Sequence, residues 1–519
     1  MSIASFPRPA TAPWPSLPAG TSPRRMLALV VVLAIVLVAA TTVASAAKPA
    51  SSAPIPTADV ALPTPAAAVP SILPNDDPDP AGQAAAGPPP LVGPEVPAPG
   101  AGTPATDAPR SAPLWQRLDT SYTFDVQLAV RTGAADVVET LDVRNPTDEP
   151  LSHLDLSVLA GATGEFRLES VTRDGQAITP RWTNDANLEV DLDPALTDGV
   201  TRLVIGFRVR PSDDTSSSLA TRTSIADGIV RFGGWFPIVS DGHGFRPPGD
   251  AQVTATATSF RLDLDLDRTA VVAAPGDPLV AGKRHVEFEL RDGRDFAFAV
   301  SKRFVTTRRQ VGDVTVEAYT LRRAPAADAL RSADRALTAF AEAYRPYPYE
   351  RFLLVQSPRS RIGNEYPGMA FLGVKSLADP VVVAHETAHQ WFYGLVGNDQ
   401  IRAPWLDEAL AEFAATDLDG TAPEPCEPGP VASPVTAFPA RRDTLACGGY
   451  GDTVYRGGAA LVASVRAQLG RDRFDDAMRT YVEQNAGRIA TTDDLVEVWL
   501  SASDDRPALR TLIDRALFE

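Results

Sequence analysis

The sequence predicts an α+β chain: an N-terminal antiparallel β-saddle or β-sandwich domain over 114–312, then a mostly helical domain over 313–519. Three observations carry this. Short stretches of alternating apolar and polar residues recur between turn signals in the first region. In the second, apolar residues recur at helical spacing. Within it stands His385-Glu386-Thr387-Ala388-His389, with apolar residues on both sides, as in a buried helix through Phe392.

Before these domains the chain reads differently. Arg24-Arg25 precede an apolar run over 26–47, the pattern of a segment handed to export machinery. Two readings stand side by side. Ala44-Ser45-Ala46 fits a cleavage signal, whereas the run also approaches the ~20 residues that span a bilayer. Both place the rest of the chain outside the cytoplasm. Residues 48–113 are dense in Pro, Ala and Gly and read as an extended disordered tether. The net charge of −17 over 519 residues argues against nucleic-acid partners and against docking on anionic lipid. The two cysteines, Cys426 and Cys447, form no CxxC pair. In an exported domain they read as a disulfide contributing ~3 kcal/mol; the alternative is two free thiols.

The β-rich region begins where the composition becomes globular, near Leu114. Residues 122–130 alternate cleanly, and 137–143, 166–171, 188–192, 203–209 and 253–266 do so with interruptions. Arg144-Asn145-Pro146 and Asp174-Gly175 supply turns between them. His153 and His285 lie in strand-like contexts and read as structural, and His243 as a loop residue. In the second region, 326–344 reads as a helix with Leu330, Ala333, Leu337 and Phe340 on one face. A strand over 353–356 follows. Further helices are expected over 459–469, 474–485 and 493–501, with Thr491 or Thr492 capping the last.

The chemistry concentrates in the HExxH segment. On a helix, His385 and His389 share a face, spaced to bind one tetrahedral Zn²⁺. Glu386 lies beside the metal without ligating it, placed to take a proton from the metal's water. Only five histidines occur in the chain, and two sit at this spacing. A third ligand is expected from a second helix: Glu408, 19 residues beyond His389, in Trp405-Leu406-Asp407-Glu408-Ala409. Zinc is inferred from ligand type; the spacing also admits cobalt or manganese.

HETAHQWFYGLVGND followed by WLDEALAEF resembles the gluzincin aminopeptidases of the M1 family. The resemblance covers roughly 118–519 and is strongest over 365–455. It implies a β-saddle followed by a thermolysin-like catalytic domain, with His385, His389 and Glu408 as zinc ligands and Glu386 as general base. Gly234-Trp235-Phe236-Pro237 resembles a WFP-like element of the saddle. Ile362-Gly363-Asn364-Glu365-Tyr366 stands where the family carries GxMEN, so Glu365 would bind the substrate's free α-amino group. The departures at Ile362, Asn364 and Tyr366 bear on backbone contacts to substrate. Tyr455 matches the Tyr of a YEKGA-like segment that stabilises the oxyanion; Tyr450 is a second candidate. The chain stops at Glu519, where larger relatives continue into a helical domain that closes the cleft, so a short form with an open cleft is expected.

These readings predict an extracytoplasmic zinc aminopeptidase acting on peptide or protein N-termini, with the apolar segment tying it to the membrane if it is retained. Two alternatives remain: a zinc endopeptidase with relaxed N-terminal recognition, and a catalytically silent surface binding module.

Overall fold

A computed structural model describes residues 112–215, 221–242, 253–358, 363–421 and 450–517, all within the compact unit Pro70–Glu519. The apolar segment 26–47, the tether up to 111, His243, Ile362, Cys426 and Cys447 lie outside the described residues. Among the described residues, no helix is long and apolar enough to cross a membrane.

The first part is built of strands, as the alternation predicts. An eight-stranded sheet runs in the order Asp277–Ala281, His285–Gly293, Ala257–Leu266, Asp119–Leu128, Ala135–Asn145, Gly199–Val209, Phe166–Arg173, Gln176–Ala177. Its neighbours are antiparallel except Asp119–Leu128 with Ala257–Leu266, which pair in parallel. Inward residues such as Tyr122, Phe124, Val126 and Leu128 alternate with half-buried or exposed ones, so one face packs and the other meets solvent. Two four-stranded sheets complete this part. One of them carries Ile229–Phe232 beside Phe298–Ser301, and both of these strands are buried throughout. Trp235 and Phe236, from the WFP-like element, pack with Phe124, Phe260 and Phe298 at its centre.

A five-stranded mixed sheet follows, in the order Val305–Val311, Val314–Thr320, Arg351–Gln356, Met369–Leu372, Gly363–Tyr366. Its last strand is an antiparallel edge. The expected boundary at 312/313 falls in the tight turn at Gly312 (φ +55°) between the first two strands. Ile229, Ala273, Ala297 and Ala299 of the first part form one buried cluster with Leu353, Met369 and Phe371 of this sheet.

Seven helices of the described residues are labelled here: α1 (Arg323–Ala343), α2 (Pro380–Ala388), α3 (Trp405–Asp419), α4 (Gly458–Leu469), α5 (Arg471–Asn485), α6 (Thr492–Ser501) and α7 (Arg506–Leu517). The expected apolar face of α1 is buried. Thr491 caps α6 in a reciprocal capping box with Asp494. α7 was not among the expected helices, although Leu509, Ile513 and Leu517 recur at helical spacing and are buried. The fold is therefore α+β, with a β-rich N-terminal part and a largely helical second part.

Candidate metal centre

α2 begins at Asp379, whose carboxylate accepts from the backbone N–H of Val381 (3.1 Å), with Pro380 pre-set for the first turn. Every residue from Val381 to Ala388 is buried, so this helix has no solvent face. It stops at Ala388 instead of continuing to Phe392. The last amides tighten onto nearer carbonyls, Gln390 N–H to Thr387 at 3.1 Å and Trp391 N–H to Ala388 at 2.9 Å. His389 Nδ1 lies 3.0 Å from the Phe392 carbonyl. Tyr393 then reverses the chain at φ +112°, a conformation rare for a residue with a Cβ.

α3 returns across α2 and carries Glu408 and Glu412 one turn apart, both buried. His385 Nε2 and His389 Nε2 are 3.0 Å apart. Glu408 Oε2 lies 3.3 Å from the first and 3.4 Å from the second. On the outer side, the Glu412 carboxylate lies 3.2 Å from His385 Nδ1, an ion-pair distance without hydrogen-bond geometry, and the Phe392 carbonyl lies against His389 Nδ1. Acceptors at both Nδ1 atoms favour the tautomers protonated there, which turn the Nε2 lone pairs inward. Two lone pairs and a carboxylate oxygen meeting this closely repel one another unless a cation sits between them. Ligand bonds of about 2.0–2.2 Å in a tetrahedron give edges of about 3.3–3.6 Å, and the observed separations are close to that. The residues present therefore fit a single tetrahedral metal ion.

The electrostatics agree. Burial would raise the Glu408 carboxyl, but the two imidazoles draw it down to about 2. Burial pulls His389 down, yet Glu365 and Glu408 outweigh it and lift it to about 9. His385 stands well above its ordinary value because Glu408 and Glu412 overcome its burial. Glu386 is pushed up to about 8 by burial, with His385 opposing and Glu365 adding. The carboxylates thus favour positive charge at the two imidazoles, whether a proton or a metal ion carries it.

Glu386 is buried, and its Oε2 makes no hydrogen bond to the described residues. Its Oε1 lies against Gly363, where a Cβ would come within 1.7 Å. The strand Gly363–Tyr366 thus presents Gly363, and by strand alternation Glu365 also, toward the face of α2 that carries Glu386. Tyr455 sits in a π-helical turn, Asp452–Gly457, that leads into α4. Its ring stacks on the His385 imidazole at 5.8 Å, and its hydroxyl donates to Glu408 Oε1. Burial and then Glu408 hold the phenol well above its ordinary value, so it remains a donor. Gly458 allows this approach, since a Cβ there would lie 2.4 Å from that of Ala409 on α3. Tyr450 is half-buried, and burial, then the charges of Glu408 and Asp407, hold its phenol well above the ordinary value.

His385, Glu386, His389, Glu408 and Tyr455 thus converge here, and Glu365 lies near enough for its charge to act on Glu386 and His389. Others gave less signal. Glu412 could have been found from its four-residue spacing to Glu408. Gln390, next to His389, accepts from Gly368 N–H at 2.8 Å and donates to the Tyr366 carbonyl at 3.1 Å, tying the edge hairpin to the end of α2. A second cluster, Asp263, His285 and Glu287, lies half-buried on the eight-stranded sheet.

No protein-family model matches the chain, and no curated protein matches it. Solved structures do. An M1 zinc metallopeptidase from Deinococcus radiodurans superposes with a TM-score of 0.58 at 19% identity, covering 79% of this chain and 97% of that one. The chain has the M1 zinc metallopeptidase fold. A glutamate-to-alanine mutant of the Deinococcus radiodurans enzyme bound to a Tyr-Ser-Ala substrate gives the same score, identity and coverage. A two-domain M1 zinc metallopeptidase mutant bound to L-tryptophan gives 0.57 at 18% identity, covering 76% of this chain and 94% of that one. At these identities the M1 likeness is one of fold, and the chemistry rests on the residues above.

Proposed function

We propose that the chain is an extracytoplasmic zinc aminopeptidase that hydrolyses N-terminal residues from peptides. The observation that carries this is the convergence of His385, His389 and Glu408 at 3.0–3.4 Å with the buried carboxylate of Glu386 alongside. The three ligands would hold one zinc ion, which when bound supplies Lewis acidity at the scissile carbonyl and acidifies water. Glu386 takes the proton of the attacking water and passes it to the leaving amine. The Tyr455 phenol offers a neutral donor for the tetrahedral oxygen. Glu365 pairs with the substrate's α-ammonium and fixes which peptide bond reaches the centre. The bound tripeptide and amino acids of the fold relatives support small peptides as the substrate class.

The β-rich region 114–312 walls one side of the cleft of the catalytic region 313–519. Arg24-Arg25 and the apolar run 26–47 support placement outside the cytoplasm, membrane-tied or released. Departures at Asn364 and Tyr366 motivate the rival reading, an endopeptidase with loosened N-terminal recognition.

The test compares a free-amine peptide with its N-acetylated twin, with and without chelator, on protein from about Leu114 onward. Chelator-sensitive cleavage of the free-amine peptide alone is expected, with Glu386→Gln inactive and still metal-loaded. Equal cleavage of both peptides would select the endopeptidase. Full activity in Glu386→Gln would remove that residue from the mechanism, and a folded, metal-free wild type would revive the silent module.

A further inference from the structure

The strand that carries Glu365 is gripped on its other face by two buried arginines from the β-rich part. Gly363 and Glu365 face α2, so by alternation Asn364 and Tyr366 point the opposite way. Arg231, on the strand Ile229–Phe232, is fully buried; its Nη2 donates to Asn364 Oδ1 at 2.7 Å and its Nη1 to Ser357 Oγ at 3.1 Å. Its guanidinium lies over the Phe371 ring, 4.0 Å from the centroid. Arg222 Nη1 donates to the Tyr366 hydroxyl at 3.2 Å. Gly233 makes room for that phenol, since a Cβ there would stand 2.2 Å from the hydroxyl oxygen. The two residues flanking Glu365 are thus the acceptors of two guanidinium groups, and both are positions where the sequence departs from the GxMEN pattern.

Burying a guanidinium is costly, and burial draws Arg231 down to about 10. By alternation these two bonds land on the residues flanking Glu365, so they act on the strand at the points nearest to it. We infer that Arg222 and Arg231 are positioning residues: through Tyr366 and Asn364 they set the height and tilt of the edge strand, and so hold Glu365 where a substrate's α-ammonium meets it. N-terminal recognition would then be set by the β-rich part across the strand. The inference rests on the aminopeptidase reading of Glu365.

The acceptors are removed while both arginines stay, using Tyr366→Phe, Asn364→Leu and the conservative Asn364→Asp, which keeps an acceptor for Arg231. For Tyr366→Phe and Asn364→Leu, the KM of the free-amine peptide should rise about tenfold, the scale of one charge-assisted hydrogen bond. The kcat and bound metal should stay within about twofold, and the preference for the free-amine peptide over its acetylated twin should fall accordingly. Asn364→Asp should keep the wild-type KM. Tyr366→Phe keeps the ring in place, so one variant remains informative if Asn364→Leu does not fold. Folded variants with wild-type preference overturn the inference, as does a fall in kcat on both peptides together with a lowered melting temperature. If the wild-type protein cleaves both peptides equally, the reading of Glu365 fails and takes the inference with it; that result is separable because it appears before any variant is made.

Discussion

Glu386 owes its place to a side chain that is not there. Gly363 lets the edge strand lie directly on the carboxylate, where a Cβ would be 1.7 Å from Oε1. Gly363→Ala therefore has one inexpensive escape, which is to push the glutamate tip aside. The variant should fold and bind metal as the wild type does, yet lose about 100-fold in kcat, since misplacing a reacting group by about 1 Å costs on that order. Steady-state kinetics beside a melting curve checks this. Glu412 acts differently, through the far nitrogen of His385 at 3.2 Å. Glu412→Gln should weaken metal binding about 10- to 100-fold, as loss of a ligand's supporting carboxylate does. Competition with a chromophoric chelator would read it, and unchanged affinity would count against Glu412 as that support.

At the level of elements, the turn after α2 is the costly piece. Tyr393 is held at φ +112°, and the carbonyls that follow it converge on Arg294. That guanidinium is 1% exposed and bonds Gly394 O (3.2 Å), Leu395 O (3.4 Å), Thr254 O (2.8 Å), Thr256 Oγ1 (3.3 Å) and Arg488 O (3.1 Å). None of these partners is a carboxylate, and burial draws the guanidinium down to about 10. One side chain thus joins the β-rich part, the turn below the candidate metal centre and the segment that follows α5. Gly397 clears its path, because a Cβ there would lie 2.2 Å from Nη1. Arg294→Met should cost at least about 3 kcal/mol, since it strands several buried acceptors at once. Arg294→Lys should rescue little, because a single ammonium cannot span the fan of a guanidinium. Denaturant midpoints for the two variants decide the matter.

For the whole molecule, Glu139 is an ionisable side chain in a largely apolar layer. It sits at an inward position of Ala135–Asn145, between Val137 and Leu141, fully buried, with neither oxygen hydrogen-bonded among the described residues. Burial pushes its carboxyl well above the ordinary value. A carboxyl raised in this way binds its proton more tightly in the folded than in the unfolded chain. Its contribution is then most favourable below the unfolded value of about 4.3 and is lost as pH rises toward the folded one. Glu139→Met should therefore stabilise the protein by about 1–3 kcal/mol at pH 7. The gap in melting temperature between variant and wild type should widen from pH 4 to pH 7. A constant gap would mean that Glu139 is not the source of the pH dependence.

What is local could be read from the residues alone. Alternation marked strands such as 137–143, found as Ala135–Asn145. Helical spacing marked 326–344, found as Arg323–Ala343, and the HETAHQ and WLDEA segments marked His385, His389 and Glu408, which converge in the structure. Such signals survive because the residues concerned share one element, so period alone brings them to one face. The local pattern did not show where α2 would stop, because that depends on where the His389 ring finds an acceptor. Nor did it reveal Arg222, Arg231 or Arg294, whose partners lie 100 or more residues away in most of their bonds. These pairings come from packing, because an isolated arginine reads as a surface residue until packing removes the water around it and leaves carbonyls, an amide and a phenol to take its place.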